Sequence, residues 1–127
     1  MVKTEIILTN LLDLGFEKEG YIKKEEIRRF AVEARVDTED NTLTIPEDLR
    51  KHLGLKKINE KIVKLANGHR VTSHVTDMVL VRWNDREWPI KAQVIPGSYE
   101  VVLGIQETDI KDFILELLEN KKGGIRS

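Results

Sequence analysis

The sequence predicts a mainly β domain, a small β-barrel or sandwich-like body carrying two helices. Three observations lead there: apolar or alternating stretches of strand length, an Asn-Gly dipeptide between two of them, and turn residues at short intervals along the chain. With 127 residues, 40% of them hydrophobic, one domain over 1–127 can bury a core without metal or disulfide support.

Thr4 to Leu12 is apolar and β-prone and predicts the first strand. Gly15, Gly20 and a run of Glu and Lys between 17 and 25 make 13–26 read as an exposed charged hairpin or loop. From Ile27 to Val36 the chain alternates, with Phe30, Val32, Ala34 and Val36 set against Arg29, Ala31, Glu33 and Arg35, the period-2 signature of a half-buried strand. A polar stretch, Asp37-Thr38-Glu39-Asp40-Asn41, leads to a short strand from Thr42 to Ile45. Pro46 then suits the first turn of a helix of which Leu49, Leu53 and Leu55 are expected to bury one side and which Gly54 ends.

Ile62 to Leu65 and Arg70 to Val75 flank Ala66-Asn67-Gly68-His69, and Asn-Gly predicts a projecting hairpin because both residues tolerate positive φ. A longer strand from Val75 to Trp83 turns at Asn84-Asp85 and returns to Ile95, with Trp88, Ile90, Ala92 and Val94 on one face. Pro89 requires an open edge or a bulge in that return strand. Pro96-Gly97-Ser98 is a turn and Val101 to Leu103 a short buried strand. Ile110, Phe113, Ile114, Leu117 and Leu118 form a one-face stripe that predicts a C-terminal helix over 108–122.

The 21 basic and 22 acidic residues leave a net charge of −1, so no nucleic-acid or membrane partner is expected. The absence of cysteine excludes disulfides, thiol catalysis and Cys-ligated zinc. Met1-Val2-Lys3-Thr4-Glu5 is charged where a signal peptide needs an apolar run. No stretch approaches the ~18 apolar residues of a membrane span, so a soluble, cytoplasmic protein is expected. His69 and His74 lie five apart and face opposite sides of a strand, so no metal site is expected with Asp77. No cofactor is expected, and neither Ser73 nor Ser98 has triad partners recognisable from order or spacing.

Four stretches stand in a suggestive order: Ala34-Arg35-Val36-Asp37-Thr38, then Leu43-Thr44-Ile45-Pro46 with Leu53-Gly54-Leu55, then Leu65-Ala66-Asn67-Gly68, then Val101-Val102-Leu103-Gly104-Ile105. Over roughly residues 28 to 110 the chain resembles the retroviral-type, or retropepsin-like, aspartic proteases. The resemblance implies a small closed β-barrel with Asp37 as catalytic aspartate and Thr38 bracing its loop against a partner subunit. It further implies Ala66, Asn67, Gly68 and His69 as a substrate-binding flap, and Leu103 and Gly104 packed beneath the catalytic loop.

The chemistry needs two carboxylates about one water apart that share a proton. One Asp-Thr motif per chain then implies a homodimer with its site on the two-fold axis, and a peptide or protein substrate. The sequence departs from the family pattern in two places: Glu39-Asp40 stands where Gly follows Asp-Thr, and a long helix followed by Gly123-Gly124-Ile125-Arg126-Ser127 stands where the family commonly adds a closing strand to the dimer sheet. Two functions therefore stay open, an aspartic endopeptidase and a non-catalytic peptide-binding or assembly module of the same dimeric fold. A third is a DNA-binding regulator, since Val36 to Val63 also resembles the swapped-hairpin domain of transition-state regulators and antitoxins. Against it, five basic residues (Arg35, Arg50, Lys51, Lys56, Lys57) balance five acidic ones (Asp37, Glu39, Asp40, Glu47, Asp48) between 35 and 57, whereas phosphate binding needs a basic excess.

Overall fold

Alternation along the first two strands decides which side of the sheet becomes core. In β1 (Lys3–Asn10), Ile6, Leu8 and Asn10 are buried, and antiparallel pairing with β2 (Arg29–Asp37) sets Ile6 opposite Val32 and Thr4 opposite Ala34. The inward row of β2 is thus Val32, Ala34 and Val36, and its outward row includes Glu33, Arg35 and Asp37. The computed structural model describes residues 3–38 and 41–105. Glu39, Asp40 and the helix expected over 108–122 lie outside the described residues.

The remaining strands are β3 (Leu43–Ile45), β4 (Lys57–Lys64), β5 (Arg70–Trp83), β6 (Arg86–Val94) and β7 (Val101–Gly104). They hydrogen-bond in the order β1-β2-β7-β3-β6-β5-β4, and a β1–β5 pairing closes six of them into a barrel. The fold is therefore a mainly β closed barrel, with open edge left on β4 and along the first part of β6. Fully buried Leu8, Leu43, Ile45, Leu103, Val79, Val81 and Trp83 fill the interior, and the Trp83 indole N–H donates to the Thr4 hydroxyl at 2.8 Å. Trp83 and Trp88 occupy diagonal positions, since Trp83 pairs Arg86 and Trp88 pairs Val81.

β5 is long enough to serve two neighbours on one edge. Residues 70–76 pair with β4 and residues 79–82 with β1. The two halves are separated by a register shift between Val75 and Met78, where the Thr76 hydroxyl accepts from the Ala92 N–H at 3.1 Å and replaces a ladder carbonyl. Pro89 finds its open edge, because β3 pairs β6 only over Ala92 to Val94. Within 36–63, the described strands do not pair with one another: β7 stands between β2 and β3, and β4 pairs with β5.

The segment 13–26 corrects the expectation of a hairpin or loop. Residues Leu11–Lys18 form a helix, α1, followed by a 3-10 turn at Lys24–Glu26. Asn10 caps α1, accepting from the Asp13 N–H at 3.1 Å, while its own amide donates to the Leu53 carbonyl at 2.7 Å. The helix ends at Gly20 (φ 81°), where the Tyr21 N–H reaches the Phe16 carbonyl at 2.8 Å and the two rings meet edge-to-face at 6.1 Å. The charges at 17–19 cover the solvent side of a capped helix, so their density did not mean a loop.

The second helix, α2 (Glu47–Leu53), has Pro46 at its N-cap rather than in its first turn, and ends at Gly54 (φ 67°). The Arg50 guanidinium, joined by Lys57, holds the Glu47 carboxyl down at about 2 from an ordinary 4.5, against the opposing pull of burial. Arg28 likewise holds buried Asp13 below its ordinary range through a two-pronged ion pair, Nε to Oδ2 and Nη2 to Oδ1, both 2.9 Å. Both groups favour their ionised form in the folded chain, so their stabilisation is present above the ordinary carboxyl range and is lost as pH falls through the folded values. Urea midpoints are expected to fall as pH drops from about 5 towards 2, and Glu47→Gln to flatten that slope. An unchanged slope in the variant would remove Glu47 from the acid response.

Candidate functional site

β7 lies between β2, which runs parallel to it, and β3, which runs antiparallel. The described ends of β2 and β3 therefore meet the end of β7 from its two sides, a three-strand crossing at Asp37, Thr42 and Gly104. That end is tied on both sides: the Gly104 N–H donates to the Thr42 carbonyl at 2.7 Å, and the Ile105 N–H to the Asp37 carbonyl at 2.9 Å. Asp37 is opposite Gly104 in the parallel register, and Val36 opposite Leu103. Fully buried Leu103 anchors this crossing in the core.

The outward row of these strands forms the floor of a cleft of about 410 Å³, where Arg35, Asp37, Thr42, Thr44, Val102 and Gly104 meet. Its other wall is the turn Ile95-Pro96-Gly97-Ser98 together with Leu65. Pro96 and Gly97 shape that turn, since the Ser98 N–H closes on the Ile95 carbonyl at 3.1 Å and Gly97 has φ 81°. This is a type II arrangement, which wants Pro before a positive-φ Gly.

Leu65 comes from the β4–β5 hairpin. Its N–H donates to the His69 carbonyl at 2.7 Å, leaving Ala66, Asn67 and Gly68 as a three-residue loop in which Gly68 alone has positive φ, at 86°. The Asn67 side chain accepts from the His69 N–H at 2.9 Å, so Asn stabilises the turn through its amide oxygen and not through positive φ. Ala66, Asn67, Gly68 and His69 are all exposed at the tip and do not line the cleft, which Leu65 reaches instead.

Of the residues singled out from sequence, Asp37 and Gly104 come together at one cleft floor, with exposed Thr38 directly following, while Leu103 lies behind them in the core. Thr44 and Val102 carry no mark in the sequence beyond that of strand residues, and the turn at 96–98 none beyond that of a connection. Arg35 had a signal that sequence alone offered, its position two before Asp37 on the same strand face. The cleft presents a carboxylate at a strand end whose backbone is held by β7, suited to orienting a polarised water. One chain supplies one such aspartate.

No protein-family model and no curated protein sequence matches the chain. Among solved structures it is similar to a retropepsin-like aspartic protease from Rickettsia conorii, with 15% identity, a TM-score of 0.41, and coverage of 82% of this chain and 77% of that one. It is also similar to a Legionella pneumophila protein of unknown function, with 12% identity, a TM-score of 0.39, and coverage of 78% of this chain and 79% of the other. Among the described residues no helix is long and apolar enough to cross a membrane.

Proposed function

We propose that two copies of this chain form a retropepsin-like aspartic endopeptidase with the two Asp37 carboxylates facing each other across a two-fold axis. The observation that carries the reading is the placement of Asp37 at the floor of an open cleft, with its carbonyl tied to the Ile105 N–H. Like charges that close cannot both ionise, so the pair retains one proton between them. The ionised member takes a proton from the water as it attacks the peptide carbonyl, and the protonated member donates to the carbonyl oxygen. Thr38 braces the two loops against each other, and the hairpin tip at 66–69 closes over the peptide as a flap.

The sequence itself favours a second reading. Glu39 stands where the family pattern has Gly, and Glu39 with Asp40 from both copies would add up to four carboxylates near the pair. Such a field raises proton affinity and suits a dimeric peptide-binding module that does not hydrolyse.

Cleavage of a peptide library from acid to neutral pH, with solution mass measured on the same sample, separates the two. Turnover by a dimer supports the peptidase, and peptide binding without turnover supports the module. A chain that stays monomeric at micromolar concentration overturns both.

A further inference from the structure

Arg35 and Asp37 lie two residues apart on the outward row of β2 and line the same cleft. Their side chains leave the strand about 6–7 Å apart, within the span of one extended dipeptide. Among the described residues lining the cleft, Arg35 is the single cation. It also lines a second hollow of about 220 Å³ with Tyr99 and Glu100, so the residue borders both spaces.

We propose that Arg35 is a specificity-determining residue that receives a carboxylate side chain of the bound peptide, so that this cleft selects acidic peptides. The inference rests on the peptide-cleft reading above and adds the chemical class of the ligand. A guanidinium fork matches a carboxylate with two parallel N–H donors, which an amide of equal shape cannot match in charge.

Arg35 already holds such a partner, since its Nε donates to Glu100 at 3.0 Å. The Glu100 side chain is 62% exposed, on the wall beside the cleft. An exposed ion pair of this kind is weak, so a substrate carboxylate that displaces Glu100 into water loses little and gains a less solvated contact with Arg35. Glu100 thus acts as a placeholder that keeps the guanidinium aimed. Neighbouring Glu33 does not compete directly, because it faces Lys3 at 3.9 Å.

The test is a positional library of fluorogenic octapeptides carrying Glu, Gln or Lys at one position at a time, read both by cleavage and by anisotropy of binding to the Asp37→Asn chain. At one position Glu is expected to be favoured over Gln by about tenfold, the scale of one charge-assisted contact. Arg35→Gln is expected to erase that preference, and Arg35→Glu to transfer it to Lys. Glu100→Gln is expected to tighten the Glu peptide about twofold by removing the competitor, which a merely structural Arg35 would not produce.

Charge-selective binding without cleavage keeps the assignment of Arg35 and overturns hydrolysis. Cleavage with no preference for Glu, or with the same preference in Arg35→Gln, overturns Arg35 and keeps hydrolysis. Neither binding nor cleavage overturns both.

Discussion

On the proposed peptidase reading, Asp37→Asn is expected to lower peptide hydrolysis by about 10³–10⁴-fold while leaving solution mass and thermal midpoint close to those of the parent, since the loss is of an acid–base group. Asn keeps the shape of Asp, and the carbonyl that Ile105 binds is backbone, so the tie between β2 and β7 is kept. The amide can neither accept the proton of the attacking water nor return one to the carbonyl, and in a homodimer both halves of the pair are lost together. Equal turnover by parent and variant would remove Asp37 from any mechanism.

Gly54→Ala is expected to cost about 2–4 kcal/mol of stability, a large share of the ~5–15 kcal/mol that holds a domain folded. Two effects act at once. Gly54 has φ 67°, where an added Cβ is strained by roughly 1–2 kcal/mol. That Cβ would also fall on the Arg28 guanidinium, which is not free to swing away because Asp13 grips it through both carboxylate oxygens.

Displacing Arg28 leaves Asp13, whose side chain is 4% exposed, without its counter-charge. Breaking a fully buried pair costs about 3–5 kcal/mol, and the 48% exposure of Arg28 reduces this by solvent screening. In an Asp13→Ala background, where Arg28 can move, Gly54→Ala should cost only the backbone part. Urea unfolding of the four proteins of that cycle should therefore show about 1–2 kcal/mol of non-additivity, and strict additivity would mean that Arg28 is not the obstacle.

Most strands were legible because period-2 alternation is a local property: Phe30 to Val36 and Trp88 to Val94 each declare a buried face without reference to any neighbour. The turns were legible for the same reason, as Asn67-Gly68, Pro96-Gly97 and Gly54 are dictated by backbone sterics. The helix α1 was missed although its marks are present, Asn10 as cap, Asp13 in the first turn and Gly20 after the end. Its cap is decided by partners far along the chain, since Asn10 is held by Leu53 and Asp13 by Arg28. Exposed charge alone does not distinguish the wet side of a helix from a loop.

The candidate site divides in the same way. Asp37-Thr38, the hairpin and Leu103-Gly104 are recognisable as motifs, and the chain's order by itself made a mainly β body and named the aspartate. That Asp37 and Gly104 are neighbours, 67 residues apart in sequence, follows only from the parallel insertion of β7 between β2 and β3. The same insertion turns Arg35 and Val102 outward together and brings Leu65, rather than the hairpin tip, to the cleft wall. Side-chain periodicity is written within a strand, whereas the choice of neighbouring strand depends on loop closure and barrel packing over the whole chain.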